Sequence, residues 1–401
     1  IILDHMRSFC RVQAFRRQKK RKHEVWIMKI AVVTVYDGLN FGSFLQAYAM
    51  QAYLKEQGHQ VYFVQRMTEE ENLALFTTRK PEEDCGFVRR IWRTCLKYTV
   101  NRKRIQRENR YYRSQFPYYQ EAWKQFRLRR PGELSDIDCL VCGSDEIWNL
   151  NNLNLDVPFY ACAGYGSGKA KLAAAVSAGN AERESFDKYP RLEEAIRGFD
   201  EILVRDRHTG EIVKEITGRA PELVCDPTLM VDRAIFRKHE SLKLPRNYML
   251  VYTYGLTEAQ SRLLKEFAGK HGYRIVSACM DIDIADEAVS ASPLDFAGLV
   301  AGAECCVTTT FHGTIFSLLF AKRFCTVAKY PKISALVEEV GAQAHLWDGE
   351  SAEELERMLE TEADREALDG KLEELKSRSA DRVNRALKRV EEKSGRALGP
   401  E

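Results

Sequence analysis

The sequence predicts an α/β protein of two doubly wound, Rossmann-like parallel-sheet domains with a central cleft and helices at the carboxyl end. Three observations predict it. Short β-branched runs alternate with helix-like stretches along most of the chain. The alternation breaks once, near Lys243 to Asn247. The 401 residues exceed what one core comfortably holds, since domains usually run to about 100–200 residues, so two cores are expected.

The first strand is read in Lys29 to Val35, K-I-A-V-V-T-V. A turn D-G-L-N-F-G follows, then an apolar-periodic helix from Ser43 to Gln57, with Ser43 as its expected N-cap and Gly58 as its stop. Val61 to Val64 begins the second strand and completes a βαβ unit. Gly38 and Gly42 lack the spacing of a dinucleotide fingerprint. Further strands are expected at Ile137 to Cys142, Leu172 to Val176 and Glu201 to Val204. A second set is expected from Tyr248, at Tyr273 to Ala278, Cys305 to Thr308 and Phe324 to Val327. The resulting division is a leader at 1–27, a first domain at 28–243, a second at 244–348, and terminal helices at 349–401.

The net charge of +3 conceals an uneven distribution. Residues 1–27 hold eight Lys/Arg against Asp4 and Glu24, a contribution of +6, which leaves the remainder at −3. That leader has no apolar core of signal-peptide length and is expected to be non-native or disordered and outside the fold, rather than a nucleic-acid arm. A basic insertion at 79–130 carries sixteen Lys/Arg against five acids, interleaved with aromatics from Trp92 to Trp123. Its pattern is helical. It fits nucleic acid, an anionic membrane surface or an anionic glycan carrier, or else a solvated helical pair whose aromatics pack on the domain.

No apolar run reaches the roughly 20 residues needed to span a bilayer. Eleven cysteines with no signal peptide favour free thiols in a reducing compartment, so a cytoplasmic location is expected, at most at the inner face of a membrane. Cys139 and Cys142 form a C-x-x-C, but strand alternation sends them to opposite faces. No metal or cofactor is expected. Gly164 to Lys169 resembles a phosphate loop, yet Ala163 and Ala170 stand where that motif requires Gly and Ser/Thr. It is read as a surface loop.

Chemistry concentrates in Cys305 to Phe320. A buried-strand pattern, C-C-V-T-T, runs into the turn T-F-H-G and then an amphipathic helix. His312 therefore falls at the carboxyl end of a parallel strand, where open α/β sheets bind ligands. Gly313 permits close backbone approach, and the helix start offers N–H donors to an anion. Arg205 ends another apolar strand and suits a carboxylate or phosphate, the bland alternative being an ion pair with Asp206. Asp226, in V-C-D-P-T, reads equally as a site residue or a turn. In G-S-D-E-I-W-N, Ser144 or Asp145 reads first as a helix cap.

Six segments taken in order resemble the polysaccharide pyruvyl transferase family. They are N-F-G-S-F-L-Q-A-Y-A from Asn40, C-G-S-D-E-I-W-N, A-A-V-S-A-G from Ala174, V-R-D-R-H-T-G-E, C-D-P-T-L and T-F-H-G-T-I-F-S-L-L-F. The resemblance covers Met28 to Val327. It implies a two-domain enzyme of glycosyltransferase B architecture that moves pyruvate from phosphoenolpyruvate onto a sugar as a ketal, with a sugar or lipid-linked glycan acceptor. His312 falls on the family's motif histidine and Arg205 on its motif arginine, which implies catalytic roles. Substrate binding is expected at Asn40, Gly42, Ser144, Asp145, Ser177, Asp226, Thr310, Gly313 and Thr314. Thr310 stands where some characterised members carry Arg, and Arg323 where many carry Pro. Ketal formation needs a proton for the vinyl carbon, which a histidine can supply near neutrality. The competing readings are a nucleotide-sugar glycosyltransferase of the same architecture and a non-catalytic glycan-binding protein.

Overall fold

The computed structural model describes residues 27–77, 102–237, 246–278, 280–327 and 330–397. Two sheets organise the chain, and every registered strand pair in them is parallel. The first contains β1 (Lys29–Val33), β2 (Gln60–Val64), β3 (Leu128–Arg129), β4 (Cys139–Cys142), β5 (Ala170–Val176), β6 (Glu201–Val204) and β7 (Glu222–Leu223), in the order β3-β2-β1-β4-β5-β6-β7. The second contains β8 (Tyr248–Tyr252), β9 (Arg274–Ala278), β10 (Glu287–Ala288), β11 (Cys305–Thr308), β12 (Phe324–Val327) and β13 (Leu346–Trp347), in the order β10-β9-β8-β11-β12-β13. Each order reverses direction once, between β1 and β4 and between β8 and β11. A crevice opens at such a switch point, beyond the carboxyl ends of the strands.

Four edge strands, β3, β7, β10 and β13, have only two residues and carry no alternation for a sequence reading to find. The break expected at Lys243 to Asn247 lies partly outside the described residues, as does the insertion from 79 to 101.

Instead of two separate cores, one apolar cluster joins an inner face of each sheet. The helix Phe41–Glu56 lies between them, with twelve of its sixteen residues buried. Its Phe41 ring sits 5.9 Å from Tyr119 of the first half and 6.2 Å from Tyr252 of β8. A helix covered on nearly all sides has little amphipathic contrast, since both neighbours present apolar surface to it. Separate clusters cover the opposite face of each sheet. Cys139 belongs to the shared cluster and Cys142 to the far face, as alternation expects. Cys142 Sγ instead lies 3.1 Å from Cys162 Sγ.

The described part of the basic insertion is the helix Arg102–Trp123. Tyr111, Tyr119 and Trp123 are buried, and Trp123 Nε1 donates to the Tyr36 carbonyl at 3.0 Å. The same helix reaches the second half, where Tyr111 Oη and Gln115 Nε2 donate to the Val289 carbonyl at 2.9 and 2.8 Å. Arg107 pairs with Asp281 and Asp283. These side chains follow the packed reading of the insertion. The final helix, Arg365–Ala397, returns over the first sheet, where Arg389 grips Glu201 bidentately with both bonds at 2.7 Å. Among the described residues no helix is long and apolar enough to cross a membrane.

Candidate active site

Five loops at strand carboxyl ends converge between the sheets: those after β1, β4, β6, β7 and β11. The loop after β1 ends at Asn40, which caps the helix Phe41–Glu56 by accepting from the N–H groups of Gly42 (2.8 Å) and Ser43 (3.3 Å). Asn40, not Ser43, is therefore the N-cap. An Asx side chain two residues upstream of the first free N–H outcompetes a serine already inside the helix. Ser43 is released to donate from Oγ to Asp145 Oδ2 at 2.9 Å.

Ser144 and Asp145 cap no helix. They occupy an irregular loop after β4 in which Asp145 bridges to Val176. Asp145 has φ +80, and Ala175 of β5, next to Asp145's bridge partner Val176, has φ +57, at the register shift between Ala173 and Val176. Such conformations cost non-glycine residues about 1–3 kcal/mol and gather at ligand sites. The surroundings hold them in place. Ser144 N–H donates to Gln46 Oε1 at 3.1 Å, and Ser144 Oγ contacts the Ala175 carbonyl at 3.0 Å and Asp226 Oδ2 at 3.2 Å. Gly143 has φ +122, and a Cβ there would lie 2.1 Å from the Ala174 carbonyl oxygen. Ser177 anchors the loop, its N–H donating to the Asp145 carbonyl and its carbonyl accepting from Trp148, both at 3.1 Å.

Asp226 is the hub. Its Oδ1 accepts from the N–H (3.0 Å) and hydroxyl (2.7 Å) of Thr228, so it also forms the turn read from D-P-T. Its Oδ2 accepts from Arg205 Nη1 at 2.9 Å and lies 3.4 Å from His312 Nε2. Ser379 of the final helix braces this loop by accepting from the Cys225 N–H at 3.0 Å. Burial by itself would raise the Asp226 carboxyl, but His312, Arg205 and the Thr228 N–H outweigh it and hold the group well below the usual carboxylate range.

Arg205 does not pair with Asp206, which instead caps the next helix through the Thr209 N–H at 2.7 Å. The Arg205 side chain is 2% exposed and joins Asp226 to Asp145, with its second contact at 3.3 Å. Phe311 covers the guanidinium at 4.7 Å. Burial opposes the charge, yet the carboxylates of Asp145 and Asp226 raise the arginine pKa; reciprocally, Asp145 is lowered despite its own burial by Arg205, His312 and Lys332. Both ends of the fork are occupied within the protein.

His312 is 8% exposed, and its Nε2 has no aligned hydrogen-bond partner among the described residues. Its ring rests on Gly42, where a Cβ would come within 2.3 Å of Nδ1. Thr310, Gly313 and Thr314 build the helix start that carries it. Thr310 Oγ1 accepts from the Gly313 N–H at 3.0 Å, and the Thr310 carbonyl accepts from the Thr314 N–H at 3.0 Å. Those two N–H groups are thus occupied, and a Cβ at Gly313 would collide with Thr308, Thr310 and Tyr252.

Sequence reasoning missed Gln46, Glu146, Phe311 and Lys332. The first three stand inside quoted motifs. Lys332, from the helix Pro331–Glu339, had no motif to mark it. It crosses to Glu146 of the first half and lies 5.4 Å from the Phe311 ring. The assembled site therefore holds a buried carboxylate–histidine pair, an arginine that fixes two carboxylates, and a half-buried lysine at the margin.

The architecture is glycosyltransferase B-like. The chain is similar to a Listeria monocytogenes protein provisionally described as a UDP-N-acetylglucosamine 2-epimerase, at 10% identity, with a TM-score of 0.51 over 92% of this chain and 98% of that one. It is also similar to UDP-N-acetylglucosamine 2-epimerase from Rickettsia bellii, at 12% identity and a TM-score of 0.49 over 91% and 98%. Among curated proteins, none matches the sequence significantly. The family model for polysaccharide pyruvyl transferase matches residues 40–328, from the Asn40 cap to the end of β12, and so encloses every residue of the network around Asp226 except Ser379 and Lys332. The chain belongs to the polysaccharide pyruvyl transferase family and is a transferase.

Proposed function

We propose that this transferase moves the pyruvyl group of phosphoenolpyruvate onto two hydroxyls of a sugar in a polysaccharide or its lipid-linked precursor, with His312 as the proton-transfer group. The observation that carries this reading is the His312 Nε2 atom. It has no aligned partner, stands between the two sheets and lies 3.4 Å from an ionised, buried Asp226.

In this reading His312 delivers a proton to the vinyl CH₂, which becomes the methyl group. One sugar hydroxyl then adds to C2. The second hydroxyl displaces the phosphate as its C–O bond breaks; of the two hydroxyl protons, one returns to His312 in place of the proton given to the methyl and the other leaves with phosphate. Arg205 acts here by fixing Asp226 and Asp145. In this reading the donor's anionic groups are met by Lys332, whose side chain is 24% exposed and which pairs with Glu146 and would release it to an arriving anion. That assignment suits a chain with Thr310 in place of a motif arginine. A cytoplasmic location, with the acceptor presented at the membrane face, follows from the donor's metabolic origin.

The test is phosphate release from phosphoenolpyruvate by the full chain with candidate glycoside acceptors, run in D₂O to read deuterium in the ketal methyl. His312→Gln should reduce turnover about 10²- to 10⁴-fold, the usual worth of a positioned general acid. Melting temperature should stay near that of the wild type. Release of UDP from a UDP-sugar, without phosphate release from phosphoenolpyruvate, would replace this reading with nucleotide-sugar glycosyl transfer.

A further inference from the structure

A second group of polar side chains lies at the carboxyl ends of β1 and β2, outside the Asp226 network. Asp37 belongs to the loop after β1, Arg66 to the loop after β2, and Tyr160 closes the short helix Val157–Tyr160. Asp37 is 7% exposed and Tyr160 1%. Asp37 Oδ2, Arg66 Nε and Tyr160 Oη are all buried and have no hydrogen-bond partner among the described residues. Buried polar atoms in folded proteins are nearly always paired, so three unpaired ones together mark a place where something else binds.

The loop that presents them is already fixed. The Asp37 carbonyl accepts from the Asn72 side chain, and the Tyr36 carbonyl accepts from Trp123 Nε1 at 3.0 Å. Thr34 Oγ1 donates to the Ser144 carbonyl at 3.0 Å and so ties this loop to the Asp145 loop. The Arg66 guanidinium lies 5.8 Å from the Tyr160 ring centre. Burial raises the Asp37 carboxyl while Arg66 draws it back, and burial raises the Tyr160 phenol, which also senses Asp37 and Asp145.

The chemistry of the three atoms is specific. One carboxylate oxygen accepts, while one guanidinium N–H and one phenol O–H donate. A sugar hydroxyl both donates and accepts, so a pair of ring hydroxyls completes the set. Asp37 and Arg66 cancel in charge, which suits a neutral polyol over a phosphate or carboxylate. We propose that Asp37, Arg66 and Tyr160 form the subsite for the acceptor sugar, on the first-sheet side of the cleft and opposite His312 and Lys332. The subsite's place beside a pyruvyl donor rests on the reading above. Its affinity for sugar hydroxyls does not.

Tyr160→Phe is the sharpest variant, because it removes only an oxygen that has no hydrogen-bond partner among the described residues. It should not lower the melting temperature. Acceptor KM should rise roughly 3- to 10-fold, the worth of a neutral hydrogen bond, and in Asp37→Asn about 10- to 100-fold, with the KM for phosphoenolpyruvate unchanged in both. Saturation-transfer NMR on the full chain without phosphoenolpyruvate, using p-nitrophenyl galactoside, glucoside and mannoside, reads the subsite independently of turnover. Binding of one glycoside by the wild type and its loss in both variants supports the proposal. Equal binding and equal acceptor KM in folded Tyr160→Phe overturn it and mean the site holds only water, and so does failure of the wild type to bind any glycoside. Glycoside binding that the variants weaken, without phosphate release from phosphoenolpyruvate, overturns the pyruvyl-transfer reading and leaves the subsite in place.

Discussion

Asp226 and Asp37 are both buried at the carboxyl ends of strands in one sheet, yet their surroundings treat them oppositely. Asp226 has both oxygens engaged, by Thr228, Ser144 and Arg205, and its carboxyl is driven down. Asp37 Oδ2 has no hydrogen-bond partner among the described residues, and its carboxyl is driven up. Burial penalises both anions, and the number of donors decides the outcome. A carboxylate with both oxygens engaged is fixed in place and held ionised. One with an unengaged oxygen beside other unpaired atoms is the kind of group the proposed acceptor subsite uses.

Removing the saturated member should have the largest effect. Asp226→Ala leaves Arg205 buried with one carboxylate instead of two, and should cost about 3–5 kcal/mol in chemical denaturation, the usual consequence of stripping one partner from a buried pair. The pH profile gives the sign. Because the native pKa of Asp226 is lowered, its stabilising contribution is complete above the unfolded value of about 3.9 and fades as pH falls toward the native one. Denaturation of wild type and Asp226→Asn should therefore converge in acid.

Gly42→Ala sharpens the comparison without touching a charge. The added Cβ would meet His312 Nδ1 at 2.3 Å and must move the ring. A displacement near 1 Å can cost about 10²-fold in turnover, so kcat should fall by one to two orders while Asp226 keeps its donors. Unaltered kcat would show that the imidazole position is not critical.

Lys332→Gln should be milder. It removes the marginal cation and should raise the KM for phosphoenolpyruvate about tenfold at low salt, with a smaller difference at high salt as screening grows. The smallest effect is expected at the unsaturated carboxylate. Asp37→Asn should raise stability near pH 7 by roughly 1 kcal/mol, the low end of the cost of an unmade buried hydrogen bond. Here the sign is reversed. A raised native pKa means the contribution of Asp37 is favourable below the usual carboxylate range and lost as pH rises, so variant and wild type should coincide near pH 3–4 and diverge above it. A loss of stability at pH 7 would show that Asp37 is paired in solution.

Much of the fold was legible because its long strands are buried on both faces. Runs such as Cys305–Thr308 and Phe324–Val327 are buried throughout and largely apolar, and the structure begins and ends them where the sequence does. The two-residue edge strands were not, since pairing with a neighbour, not composition, defines them. Within the site, Asp226, Asp145, Ser144 and His312 lay in recognisable motifs and do come together. The expected helix caps at Ser43 and Ser144 failed for a common reason. Serine near a turn is consistent with several hydrogen-bond partners, and only the neighbouring loops decide among them.

By itself, the sequence determined the strand runs, the order of the motifs and the chemical types gathered in them, because these follow from local periodicity and covalent spacing. Tertiary structure decided the pairing. It occupied both arms of Arg205 with Asp226 and Asp145, carried Lys332 across to Glu146 and left Asp37 Oδ2, Arg66 Nε and Tyr160 Oη without a hydrogen-bond partner among the described residues. The physical reason is that the worth of a charge or a hydroxyl depends on which donors and acceptors reach it once water is excluded. Residues separated by 186 positions, such as Glu146 and Lys332, meet only when two sheets close on a shared core.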